Sequence, residues 1–68
     1  MSLAQNIKRI RLHRNYTQKY IALALGTSLA NYSKMENGMI NISKERQEKI
    51  AGILDVTLEE LMGSGGEA

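Results

Sequence analysis

Six basic side chains, Lys8, Arg9, Arg11, Arg14, Lys19 and Lys34, stand in the first half of the chain, and up to residue 35 no carboxylate accompanies them. From Glu36 onward the balance inverts, with Lys44, Arg46 and Lys49 set against seven acids. Charge segregated in this way is a footprint for a polyanion, because the field of a one-signed surface adds over its length. A solvated surface that is merely lopsided gives the same count, so charge alone leaves both readings open. Other chemistry has few residues to work with. The one histidine, His13, lies beside Arg11 and Arg14 in a helical stretch with no acid nearby. Glu59 and Glu60 are adjacent and so face different directions on a helix. There is no cysteine, which excludes a disulfide framework and a thiolate metal site. No glycine-rich loop follows a strand pattern. The expectation is binding rather than catalysis, with no cofactor, metal or small-molecule ligand.

The elements that must position these residues are short. With 68 residues there is room for one small core, and 43% of the residues are hydrophobic. Without Trp or Phe, that core must come from Leu, Ile, Met, Ala and Tyr. No Pro interrupts helix formation. No apolar run approaches a membrane span, and the N-terminus lacks a signal-peptide stretch. A soluble, cytoplasmic domain over residues 1–62 is expected. Residues 63–68 read as a flexible Gly/Ser tail, compatible with a remnant of expression.

Apolar spacing divides the domain into five helices. Ile7, Ile10 and Arg14, with Leu3 one turn earlier, give a first helix over 4–14 that stops near Asn15. Thr17 is a good N-cap for a second helix carrying Ile21, Ala22 and Leu25, and Gly26 ends it in a left-handed turn. Thr27 or Ser28 caps a third helix, over about 28–37, with Tyr32 and Met35 inward and Asn37-Gly38 as its stop. Ser43 caps a fourth, with Glu45 in its first turn and Ile50, Ala51 and Leu54 inside. Thr57 and Glu60 form a capping box that opens a short fifth helix bearing Leu58, Leu61 and Met62. Its apolar stripe serves either to close the core or to meet another copy.

Helices two and three are joined through Gly26 and about two further residues. So short a link makes them cross steeply, which is the helix-turn-helix arrangement. Helix two then packs onto Tyr32 and Met35, and helix three turns Ser28, Ala30, Asn31, Ser33 and Lys34 outward, with Leu29 the apolar exception. Small outward residues let a helix backbone come close to base edges in a major groove.

These residues resemble the phage-repressor and Cro-type (XRE-like) helix-turn-helix family. The resemblance runs over about residues 4–62. It is carried by Ile7, Ile10-Arg11, Tyr16-Thr17-Gln18, Ile21-Ala22, Leu25-Gly26-Thr27-Ser28, Tyr32 to Gly38, Ser43, Ile50-Ala51, Leu54, Val56 and Leu58 to Met62. It implies an all-α, five-helix lambda-repressor-like fold and sequence-specific binding of double-stranded DNA. It further implies a transcriptional regulator, a repressor by type, acting as a homodimer on a palindromic operator. By the family's pattern base contacts fall on Ser28, Leu29, Ala30, Asn31, Ser33 and Lys34. Thr17 and Gln18 would hold one phosphate, and Asn37 with the amide after Gly38 another. Arg9, Arg14 and Lys44 are expected as further phosphate contacts. Arg11 and Glu36 are implied as a structural ion pair, and Leu58, Leu61 and Met62 as dimer-interface candidates. Three departures stand out: apolar Leu29 and Ala30 on the reading face, Gln47 where a large apolar residue is usual, and Asp55 in place of the common Gly. An antitoxin-like or accessory protein-interaction module, with DNA binding secondary, is the alternative.

Overall fold

The structure is a computed structural model and describes residues 2–63. The expected tail therefore lies outside the described residues, except for Gly63. Five helices follow in order: α1 (Leu3–His13), α2 (Gln18–Leu25), α3 (Leu29–Glu36), α4 (Lys44–Leu54) and α5 (Leu58–Met62). There is no strand among the described residues. The all-α, five-helix expectation holds, with the helix-turn-helix at α2 and α3.

Each helix begins where a hydroxyl can satisfy an unpaired amide. Thr17, Ser28, Ser43 and Thr57 accept from Tyr20, Asn31, Arg46 and Glu60 respectively. The Thr57–Glu60 capping box is complete in both directions. A second box, unread in the sequence, opens α1. Ser2 accepts from the Gln5 amide, and the Gln5 side chain accepts from the Ser2 amide, both at 3.1 Å. α1 therefore starts a residue earlier than its apolar spacing implied.

The stops are equally local. Asn15 takes φ of 63° after α1, and Gly26 takes 77° after α2. At Gly26 the absence of a Cβ lets the chain reverse within one residue. The Thr27 amide then bonds back to Ala22 O at 3.0 Å, fixing the entry to α3. Asp55 adopts φ of 60° at the end of α4, so the carboxylate residue does tolerate the left-handed position.

The inward stripes of all five helices meet in one core of Ile7, Ile10, Ile21, Ala22, Leu25, Tyr32, Met35, Ile50, Ala51, Leu54 and Leu61. Leu61 is 0% exposed, which corrects its expected place in a dimer interface. A five-residue helix has one inward direction, and Leu61 takes it. Leu58 is half-buried against the same core, and Met62 stays outside. Gln47 is explained by its neighbour: its side-chain amide donates to Ile42 O at 2.9 Å, satisfying a carbonyl of the α3–α4 loop.

One buried polar cluster crosses this core. Glu36, at the end of α3, is 4% exposed. Its carboxylate accepts from Arg11 Nε at 2.5 Å and Arg11 Nη2 at 3.1 Å, from Tyr32 Oη at 2.6 Å and from Gln18 Nε2 at 3.0 Å. Arg11 Nη1 in turn donates to Tyr16 O at 2.7 Å. The Arg11–Glu36 pair is thus present, and it binds α1, the start of α2 and the end of α3 to one group. Burial opposes ionisation of Glu36, but the hydrogen bonds from Arg11, Tyr32 and Gln18 outweigh it and hold its carboxyl below the ordinary value. Hydrogen bonding to Glu36 raises Arg11, and burial followed by the same carboxylate pushes Tyr32 well above the ordinary phenol range.

Removing one partner of a buried pair leaves an uncompensated charge. Glu36→Leu or Arg11→Met alone should each cost about 3–5 kcal/mol in urea unfolding, and the double variant should lose less than the two losses added. Strict additivity would show that the two groups do not act as a pair. The acid side carries a second prediction. A carboxyl with a depressed folded pKa contributes fully above its ordinary value and loses that contribution as pH falls through the folded value. Thermal unfolding midpoints should therefore drop below pH 4.5, and Glu36→Gln should show a shallower acid-side drop than the wild type. Equal slopes for the two proteins would contradict the assigned role of Glu36.

Candidate nucleic-acid interface

The surface in question is the outer side of α3, and its makeup follows from helical periodicity. Tyr32, Met35 and Glu36 take the inward positions of an eight-residue helix. The opposite side is left to Ala30 and Lys34, which are exposed, with Ser33 and Asn31 half-buried on its flanks. Leu29 projects from the first turn and is 49% exposed. Ser28 is exposed, and its hydroxyl caps the Asn31 amide at 3.0 Å. The only acid of α3 is Glu36, so the outer side carries no negative charge.

Asn31 departs from a simple outward reading. Its side-chain Nδ2 donates to Thr27 Oγ1 at 2.8 Å, one helical turn back. Gln18 departs further. Its side-chain amide, expected at solvent for a phosphate, turns inward and donates to Glu36 Oε1. Glu36 draws it because a buried carboxylate needs donors on every lone pair it can offer. The backbone amides of Gln18 and Lys19, in the first turn of α2, have no acceptor among the described residues. They remain the groups there that could take an anion, with the positive end of the helix behind them.

The far end of α3 also needs a correction. Gly38 has φ of 74°, and the amide after it, that of Met39, donates to Lys34 O at 2.9 Å. That amide closes the helix and is not open to a phosphate. The Asn37 side chain is exposed and without a partner among the described residues. Lys44, at the first position of α4, is exposed as expected.

Arg9 and Arg14 do not join this group. They line a depression of about 220 Å³ with Ile10, His13, Val56 and Glu60, where α1 meets α5. Arg14 donates to Asp55 O at 3.2 Å, next to the exposed negative end of α4. On α1, Arg9 lies about 160° from Arg11, because each residue advances by about 100°. Arg11 faces Glu36, so Arg9 faces away from α3. Both side chains are exposed on that side of α1.

Two contacts escaped sequence reasoning although the signal was present. Tyr32 and Glu36 are four apart on α3 and therefore neighbours on one helix face, and Thr27 and Asn31 are four apart across the start of that helix. Exposed apolar residues outside α3 were also unread, with Leu23 70% and Met39 69% exposed. Among the described residues, no group of His, Cys, Asp or Glu is placed to hold a metal ion, and no helix is long and apolar enough to cross a membrane.

Comparison with known proteins agrees with this geometry. No curated protein matches the chain. The family model for helix-turn-helix domains matches residues 7–61, from the first buried isoleucine of α1 to the leucine that closes the core in α5. A match over most of the chain, onto five helices in this order, assigns the protein to the XRE and Cro-type helix-turn-helix family of DNA-binding regulators.

Proposed function

We propose that the chain is a sequence-specific transcriptional regulator, a repressor by type, that lays α3 in the major groove of double-stranded DNA. The observation that carries this reading is the outer side of α3. It is narrow, rich in small residues and free of acid, because its one carboxylate is consumed inside. A polyphosphate helix repels carboxylates and admits a helix of small side chains.

In this reading Lys34 donates to guanine O6 and N7, and Ser28 and Ser33 pair with base edges. Leu29 and Ala30 lie against thymine methyl groups. The Gln18 and Lys19 amides and the Thr17 region hold a phosphate on one side of the groove, and Asn37 with Lys44 holds one on the other. Two copies acting as a homodimer, with Met62 and the exposed edge of Leu58 in the contact, read a palindromic operator in the cytoplasm. Their α3 helices then stand about 34 Å apart, one turn of DNA. A second reading rests on exposed Leu23 and Met39: an antitoxin-like protein whose main partner is another protein, with DNA secondary.

Two measurements separate these. Each phosphate neutralised contributes a slope of about −0.9 to log affinity against log salt, so affinity for duplex DNA should fall steeply between ~50 and ~200 mM salt. A flat dependence in fluorescence anisotropy would favour the protein-binding reading. Lys34→Ala should lose roughly 1–3 kcal/mol at one base position while leaving binding to random duplex nearly unchanged. Equal loss on operator and random DNA would make Lys34 a phosphate contact instead.

A further inference from the structure

Thr27 is fixed before α3 begins. Its backbone amide is bonded to Ala22 O at 3.0 Å, which ties it to the end of α2. Its hydroxyl oxygen accepts from Asn31 Nδ2 at 2.8 Å. The Asn31 backbone is fixed as well, with its amide on Ser28 Oγ at 3.0 Å. Both ends of the Thr27–Asn31 bond are therefore anchored by other bonds. A side chain on the flank of the outer side of α3 is held in one orientation before any DNA arrives.

That orientation changes what Asn31 can read. A free carboxamide offers two N–H donors and one acceptor oxygen. Thr27 occupies one N–H, leaving one donor and the oxygen. In the major groove guanine presents two acceptors, N7 and O6, and a single remaining N–H cannot serve both. Thymine offers one acceptor and cytosine one donor group. Adenine alone offers an acceptor at N7 beside a donor at N6, which is the complement of what Asn31 has left.

We infer that Asn31 is an adenine-reading residue whose choice of base is set by Thr27 as a positioning residue. This rests on the major-groove reading proposed above. It adds that one base pair in the bound site is an A·T pair fixed by Asn31, independently of Lys34. Pinning the amide also lowers the entropy lost when it engages a base, since the rotamer is already selected.

The test is selection of bound sequences from a random duplex pool, run on the full chain and three variants, with unfolding midpoints and random-duplex affinity measured alongside. The wild type should enrich a site with one position preferring adenine by about tenfold or more. Asn31→Ala should erase that preference and leave the other positions intact. Thr27→Val removes the acceptor at nearly constant shape, and it should weaken the adenine preference and admit guanine. Thr27→Ser keeps the oxygen and should restore the wild-type pattern. A preference that survives Asn31→Ala overturns the assignment of Asn31 and with it the positioning role of Thr27, while the major-groove reading stands. Uniform weakening of every position by Thr27→Val, with a lowered unfolding midpoint, reduces Thr27 to a structural role and overturns the positioning claim. A wild-type pool with no enriched sequence overturns the DNA-reading proposal and this inference together.

Discussion

A carboxylate shut inside a domain this small has to be surrounded by donors, and the fold is arranged around meeting that demand for Glu36. Leaving such a charge unpaired would cost several kcal/mol, a large part of the stability of any small domain. Three segments supply the donors: Arg11 from α1, Gln18 from the first turn of α2 and Tyr32 from α3 itself. Because the bonds are directional, they fix the mutual placement of three helices more narrowly than apolar packing would. Arg11 extends the tie to the loop before α2 through Tyr16 O. The apolar side of the same helices supplies the bulk of the burial, from Ile7 through Leu61. The polar cluster decides which way α3 is rotated within it.

That rotation determines the outer surface. With Tyr32, Met35 and Glu36 turned inward, α3 has only small or basic residues and Leu29 to present. The acid that would repel a polyanion is neutralised by Arg11, and the remaining acids belong to α4, the turn after it at Asp55, α5 and the C-terminal tail of the sequence. The turn at Gly26 and the backbone bond from Thr27 to Ala22 O set the start of the helix, and the Met39 bond to Lys34 O sets its end. A short, rigid element held at both ends and from beneath can enter a groove without first being ordered, which spares the entropy of folding on binding. The basic groups divide accordingly. Lys34 on α3 and Lys44 at the start of α4 are exposed, whereas Arg14 is occupied at the end of α4 and Arg9 lines the depression beside α5.

Much of this was legible in the sequence because it is local. Caps at Thr17, Ser28, Ser43 and Thr57, the stop at Gly26 and the inward stripes all depend on residues within a turn of one another. The Arg11–Glu36 pair, 25 positions apart, was expected only through family resemblance, since no spacing rule reaches that far. The Gln18 bond to Glu36 was not legible for a related reason. The position of Gln18 at a helix start favours solvent, and only the assembled fold brings a buried carboxylate within its reach. Arg9 and Arg14 carried the right charge, but which side of α1 meets α5 is a tertiary fact. Leu61 sits in a stripe whose period is the same for a core or an interface. Gln47 stands where a large apolar residue is usual, and only the assembled loop brings it the Ile42 carbonyl that it bonds. The Ser2 box at the start of α1 could have been read, as Ser and Gln stand three apart there.

The central claim is that the Glu36 cluster rotates α3 so that its acid-free side meets DNA. Amide chemical-shift mapping during titration of the labelled protein with a duplex tests it most directly. The account predicts that shifts concentrate at residues 17–19, 28–34 and 37, with α5 and the α1–α5 depression unmoved. Shifts centred on Arg9, Arg14 and α5, or spread evenly over the domain, would contradict it.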